Sequence, residues 1–253
     1  MAFRNGPQYP GVSRGLVFLF EPPSPISVPN ASGDTTTVYN AIDSSQSGST
    51  SFEGADDEWA NAKTLEGYMT YDATDDDIDF GDICSFEYNN AFSINVWISP
   101  DWTANKYLVA KSRDGTNPSL NMYRGYHFAI NGSKKLSFAM YNYGYIGVPG
   151  MTVTGGTTID NFSGWQNLCC TYDGSGNRSG MKSYINGVAE TLTGTGDSTL
   201  STTIVTTFPL LLAAQAGDTK FYDGSMGPVM IYNRELTEAE ALQNYNQLKG
   251  RFQ

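Results

Sequence analysis

WQNLCCTYDGSGNRSGMKSYINGVAE, residues Trp165–Glu190, is the stretch whose reading decides the fold. Gln166–Tyr172 reads as a strand, Asp173–Gly180 as a Gly/Ser/Asn loop, and Met181–Ile185 as a second strand. Asn186-Gly187 follows, a strong short-range hairpin signal, because both central residues of a type I′ turn need φ > 0. Two reversals in so short a span commit this region to an antiparallel sheet.

The rest of the 253 residues agrees. Gly is abundant, Ser and Thr cluster, and a 3.6-residue period emerges only at the C-terminus. Ala91–Ser99 (AFSINVWIS) alternates cleanly, with Phe92, Ile94, Val96 and Ile98 on one face and Ser93, Asn95, Trp97 and Ser99 on the other, before Pro100 and Asp101 stop it. Further strands are expected at Gly15–Phe20, Thr36–Ile42, Tyr68–Asp72, Asp77–Phe80, Lys106–Ser112, Thr152–Ile159, Phe208–Ala214, Lys220–Asp223 and Pro228–Tyr232. Gly125–Ile130 and Lys135–Tyr143 flank Asn131-Gly132, a second hairpin signal. Thr237 and Glu240 form a capping box. Leu242, Tyr245, Leu248 and Phe252 fall on one helical face, with Gly250 as the expected stop. Many short antiparallel strands closed by one helix give an all-β sandwich.

Net charge is −11, and twelve acidic residues between Glu53 and Glu87 against Lys63 alone account for the whole surplus. No basic stripe exists for nucleic acid, and no apolar run approaches the roughly 18 residues of a membrane span. The N-terminus lacks the ordered regions of a signal peptide. Cys169 and Cys170 are neighbours on a strand, so they point to opposite faces and cannot pair. With Cys84 they are expected to be buried free thiols.

Four blocks resemble the concanavalin A-like jelly-roll superfamily in its laminin-G-like branch: FSINVWISP (Phe92–Pro100), YHFAINGSKKLSFAM (Tyr126–Met140), the opening hairpin, and FYDGSMGPVMIYNRELTEAEALQNYNQLKGRF (Phe221–Phe252). GLVFLF and the acidic DATDDDIDFGD (Asp72–Asp82) resemble the family's opening strand and acidic turn, so the likeness spans Gly15–Phe252. It implies a two-sheet antiparallel jelly-roll β-sandwich with one short C-terminal helix, residues 1–14 serving as an arm and 15–253 as a single domain. The ending QNYNQLKGRF (Gln243–Phe252) is similar to laminin-G-like domains in virion proteins of tailed phages.

The chemistry narrows the function. Glycosidases of the superfamily carry their acid and nucleophile carboxylates at strand spacing on one face. No expected strand has that pattern, and a lone His127 supplies no triad, so His127 is read as an ordinary strand residue and the protein as no enzyme. Asp75, Asp77 and Asp79 form a candidate calcium group, since laminin-G-like domains often bind calcium. The family's acidic pair before the last strand is here Gly227-Pro228, which removes candidate ligands, and a solvated acidic turn is the other reading. Tyr141, Tyr143 and Tyr145 share the face opposite Leu136, Phe138 and Met140. Such a row suits stacking on sugar rings, burial against another subunit, or cover by a loop or the second sheet. Tyr123, Tyr126 and Trp102 could extend it.

The expectation is a non-enzymatic structural or binding protein of a phage virion: a capsid decoration, head-fibre or tail-associated subunit. It would contact other virion proteins, cell-surface glycans and further copies of itself, but neither nucleic acid nor membrane. It would be made in the host cytoplasm without a signal peptide, and would need no cofactor beyond the candidate calcium. A carbohydrate-binding adhesin outside a virion is the alternative, and a glycoside hydrolase stands last.

Overall fold

The computed structural model describes residues 11–22, 24, 27–29, 37–51, 67–101, 106–113, 124–142, 150–159, 164–217 and 220–253. Sixteen strands, one α-helix and a 3-10 turn at Arg178–Gly180 are found there: β1 (Leu16–Phe20), β2 (Thr37–Tyr39), β3 (Ser47–Thr50), β4 (Met69–Asp72), β5 (Ile78–Asp79), β6 (Phe92–Pro100), β7 (Lys106–Lys111), β8 (Gly125–Ile130), β9 (Lys135–Tyr141), β10 (Met151–Thr158), β11 (Gln166–Tyr172), β12 (Met181–Ile185), β13 (Val188–Ala189), β14 (Thr193–Gly196), β15 (Leu211–Leu212), β16 (Asp223–Tyr232) and α1 (Glu238–Phe252).

They form two antiparallel sheets. The seven-stranded sheet runs β1-β16-β6-β11-β12-β13, with β4 also on β16. The nine-stranded sheet runs β14-β10-β9-β8-β7-β15-β5-β3-β2. Between them lies one large apolar core to which β6 contributes Phe92, Ile94, Val96 and Ile98. The second face of β6 is buried as well, because α1 lies across it: Trp97 joins Cys169, Tyr184, Met230, Tyr232, Leu236, Ala241, Leu248 and Phe252 in a smaller cluster. Among the described residues, Asn95, Asn167 and Ser93 at that covered face are satisfied by the fold itself, while Trp97 Nε1 and Thr171 Oγ1 are buried without a hydrogen-bond partner. Asn95 and Asn167 exchange amide hydrogen bonds of 2.9 and 3.0 Å. The Ser93 hydroxyl donates to the Arg234 carbonyl and accepts from Leu236 N–H, both at 2.9 Å. A buried amide costs little once every bond is made.

Asn186-Gly187 is the expected turn, with φ of 52° and 76°. Asn131-Gly132 reverses the chain differently. The left-handed residue there is Lys134, at φ 57°, and the Asn131 side chain accepts from Ser133 and Lys135 N–H at 2.9 and 3.1 Å, making a longer Asx-type loop. β4 and β5, expected on either side of one turn, do not pair with each other: β4 joins β16 and β5 joins β15 and β3, so the acidic turn carries the chain from one sheet to the other.

Three expectations are corrected. In place of the expected Lys220–Asp223 and Pro228–Tyr232, Lys220–Tyr222 belong to no strand and a single strand, β16, runs from Asp223 to Tyr232, its register against β6 shifting between Met226 and Val229. Pro228 lacks an N–H for the ladder and sits at that bulge, which also divides β4 from β1 along the other edge. The helix runs past Gly250 to Phe252. Its buried residues are Ala241, Asn244, Leu248 and Phe252, while Leu242 is 42% exposed. Tyr245, Leu248 and Phe252 meet the sheet-side cluster as expected, Tyr245 and Phe252 stacking on Trp97, and Leu242 alone is turned away to abut the Gly187 turn. The capping box forms as expected, Glu240 N–H donating to Thr237 Oγ1 and Thr237 N–H to Glu240 Oε2.

Residues 1–10 of the arm lie outside the described residues. Its end packs back on the chain itself: Val12 is buried in the helix-side cluster, and its N–H donates to Asn244 Oδ1 at 2.8 Å.

Candidate functional site

The alternation in β8 and β9 sends Tyr126, Phe128, Ile130, Leu136, Phe138 and Met140 into the core. It therefore turns His127, Ala129, Ser137, Ala139 and Tyr141 to the outer face of the nine-stranded sheet. Register aligns them with residues of β7 and β10: Tyr107 opposite Ala129, Ser137 opposite both Ala129 and Thr154, and Ala110, His127, Ala139 and Thr152 in the next row. A bulge in β7 between Tyr107 and Val109 sets Tyr107 in this phase.

The rings form a continuous array. His127 meets Tyr107 edge-on with centroids 5.0 Å apart, and Tyr141 in a tilted contact at 5.6 Å. Lys220 Nζ stands 5.7 Å from the Tyr107 ring centre. Small side chains, Ala129, Ser137 and Ala139, separate the aromatic residues, and Thr152 and Thr154 add hydroxyls at the β10 side. Tyr107 and Tyr141 are half-buried and His127 is buried. Burial pushes the Tyr141 phenol above its usual value, and a hydrogen bond with Thr152 pulls the other way. The arrangement offers ring faces and edges beside hydroxyl groups, the combination that packs on the apolar face of a sugar while binding its hydroxyls.

Of the expected tyrosine row, Tyr141 is on this outer face; Tyr143 and Tyr145 lie outside the described residues, as do Tyr123 and Trp102. Tyr126 does not extend the patch. It is 1% exposed, faces the core, and donates its hydroxyl to the Cys84 carbonyl at 2.9 Å. His127, read as an ordinary strand residue, is the link between the two tyrosine rings. Tyr107 escaped the sequence reading; pairing Lys106–Ser112 against Gly125–Ile130 with a bulge would have found it.

In the acidic turn, carboxylate oxygens of Asp72, Asp75 and Asp76 lie within 4.8 Å of one another. Of the expected Asp75, Asp77 and Asp79, only Asp75 belongs to this group. The turn's own backbone uses several of these groups: Asp76 Oδ2 accepts from Asp72 N–H at 2.8 Å, Asp72 Oδ1 from Thr74 N–H at 2.7 Å, and Asp79 Oδ1 from Gly81 N–H at 2.7 Å. Burial, with the Asp79 and Asp75 charges, raises the Asp77 carboxyl to about 6, against a hydrogen bond from Ser51. Three carboxylates offer part of the oxygen set, about six to eight, that Ca²⁺ takes.

A cleft of about 430 Å³ opens at the sandwich edge, beside the β11–β12 loop and β14. It shares Leu192 with a second hollow of about 320 Å³ that reaches the start of α1.

With this geometry in hand, the relatives can be placed. The Laminin_G_3 family model, described as concanavalin A-like lectin/glucanases superfamily, matches residues 72–241. The chain belongs to this superfamily. Tyr107, His127, Tyr141 and the edge cleft all lie within the matched residues. No curated protein matches in sequence. Among solved structures, the chain is similar to the binding domain of Paraclostridial Mosquitocidal Protein 1 (TM-score 0.62, 15% identity, 92% of this chain and 52% of that one). It is also similar to Trypanosoma rangeli sialidase in complex with 2,3-difluorosialic acid (TM-score 0.58, 9% identity, 91% and 33%). Domain 4 of AbnA, an extracellular arabinanase from Geobacillus stearothermophilus, in complex with arabinotriose, matches with TM-score 0.53 and 15% identity over 92% of this chain and 100% of that one. The chain thus spans about half of that binding domain and a third of the sialidase. At such identities the likeness is one of fold, the concanavalin A-like sandwich.

Proposed function

We propose that this superfamily member is a glycan-binding module without catalytic activity, and that it takes its ligand on the outer face of the nine-stranded sheet. The observation that carries the reading is the Tyr107–His127–Tyr141 array with its adjoining hydroxyls. Its chemistry also speaks against hydrolysis as the task. Strands β7, β8, β9, β10, β14 and β15 contain no Asp or Glu, whereas a glycosidase needs two carboxyl groups flanking the bond, about 5 to 9.5 Å apart. The arabinanase domain bound to arabinotriose supplies a first probe.

The test is a glycan array followed by titration calorimetry, with arabinotriose among the ligands, on the wild type, Tyr107→Ala and Tyr141→Ala. Binding by the wild type and a loss of about tenfold or more in each variant is expected. Undiminished binding by both variants would overturn the placement, and a wild type that binds no glycan would overturn the reading.

The narrower form of this proposal is a subunit of a tailed-phage particle that contacts cell-surface glycans. It is supported by the closing stretch Gln243–Phe252, and mass spectrometry of purified particles tests it by finding or missing this chain.

A further inference from the structure

The edge cleft holds a cation that the fold does not neutralise. Arg178 lines it, and its Nη1 donates to the carbonyls of Thr195, Gly196 and Asp197 at 3.1, 3.0 and 3.1 Å. Among the described residues, the salt bridges join Lys111 to Asp82, Lys182 to Glu235, Arg234 to Glu240 and Arg251 to Glu21; Arg178 has no acidic partner. In a chain of net charge −11 an unpaired half-buried guanidinium is unexpected. The three carbonyls fix one nitrogen and leave the Nε–Nη2 edge of the group uncommitted, and that edge presents two parallel N–H donors of the spacing that matches a carboxylate.

The wall is rigid. Arg178 N–H donates to the Ser198 carbonyl and Leu200 N–H to the Gly176 carbonyl, both at 2.8 Å, and Asn177 bridges Thr199, so the β11–β12 loop is zipped to 198–200. Gly194 lies against the guanidinium, where a β-carbon would collide with Nε. Val153, Met181 and Leu192 supply an apolar floor, and Ser179, Ser198 and Thr199 place polar groups at the rim. A volume of about 430 Å³ falls in the range of small-molecule sites.

We infer that this cleft binds a carboxylated sugar, a uronic or sialic acid residue, with the carboxylate on the Nε–Nη2 edge of Arg178 and the ring over Met181 and Leu192. This site is separate from the aromatic face: it lies at the β14 edge between the sheets, on other residues.

Titration calorimetry with glucuronic acid and N-acetylneuraminic acid, with glucose and acetate as controls, tests it. At least one acid should bind about tenfold or more tighter than either control, and more weakly as salt rises. Because Arg178 also holds the 195–197 turn, the decisive variant is Ser179→Trp, which fills the mouth and leaves that clasp alone. With an unchanged melting temperature it should lose acid binding. Arg178→Lys should weaken the acid about fivefold or more, leaving its already weak glucose binding unaltered. Equal binding of glucose, equal binding of acetate, no binding of either acid, or a folded Ser179→Trp variant that binds as the wild type does would each overturn the inference. Tyr107→Ala and Tyr141→Ala should leave acid binding intact, and a loss there would assign the acid to the sheet face instead. Failure of the sheet-face proposal leaves this one standing, since its variants and ligands differ.

Discussion

Asp77 and Glu240 are two carboxylates that the fold treats in opposite ways. Burial raises Asp77 to about 6, so between the ordinary aspartate value of 3.8 and that figure the native state holds more protons than the unfolded one. Stability from this group therefore falls as pH rises through that window. Asp77→Asn should remove the penalty, raising stability at pH 7 by about 1 kcal/mol once the shift is discounted for solvent, and flattening the pH dependence of urea unfolding between pH 4 and about 6.5. Glu240 is lowered to about 2, first by its hydrogen bonds from Arg234 and then by those in the cap. Its contribution is complete above the ordinary glutamate value of 4.5 and is lost as pH falls toward 2. In Glu240→Gln that acid-side loss should disappear, which unfolding at pH 3 and pH 6 will show. At this scale the sequence was readable only through alternation. Tyr141 shares the phase of Ser137 and Ala139, and the outward position follows. Tyr126 shares the phase of Phe128, so a patch drawn by residue type admits it and one drawn by phase does not. Tyr107 obeys neither rule, because a one-residue bulge shifts its strand.

Turns show the same limit among elements. Two Asn-Gly pairs look alike in sequence, yet only Asn186-Gly187 takes φ > 0 at both positions, while Asn131 uses its side chain to cap a longer loop. Gly187→Ala should cost about 1–2 kcal/mol from the left-handed backbone alone, and more because the added carbon would stand 2.8 Å from the Leu242 Cα. Thermal melting measures the loss. Gly132→Ala, where φ is not left-handed and no atom lies within 4 Å, should be near neutral. For α1, the capping box was legible because its bonds are local, and Thr237→Ala should cost about 1 kcal/mol. The buried stripe was legible at Tyr245, Leu248 and Phe252 but not at Leu242. Leu242 looks apolar enough to face the sheet, but the buried polar residue Asn244, tied to Tyr232 at 3.0 Å and to Val12, sets the helix's rotation instead. Hydrophobic periodicity cannot register a side chain that is buried for its hydrogen bonds.

For the whole molecule, the β-rich class, the antiparallel pairing and the closing helix were legible because each follows from short-range pattern. What pattern could not supply was the third layer. Trp97, Asn95 and Ser93 read as an outward face, and they are buried because a helix about 140 residues further on folds back over them. That cover has a chemical signature. Cys169 and Cys170 are buried on opposite faces of β11, and burial raises the Cys169 thiol to about 12. With the half-buried Cys84 replaced by Ser, the native protein should be inert to Ellman's reagent at pH 8, whereas ending the chain at Asn233 should expose Cys169 and let it react while Cys170 stays protected in the core. Equal reaction of both thiols would mean that the sandwich itself had opened. The tie between Val12 and Asn244, with Phe252 close by in the same cluster, carries one more implication. The first and last anchored segments of the sandwich share the helix-covered back, opposite the aromatic array. A partner fused after Gln253 would therefore start behind the sheet, away from the tyrosine face, and under the proposed glycan-binding reading many copies tethered in that way to a surface would gain avidity.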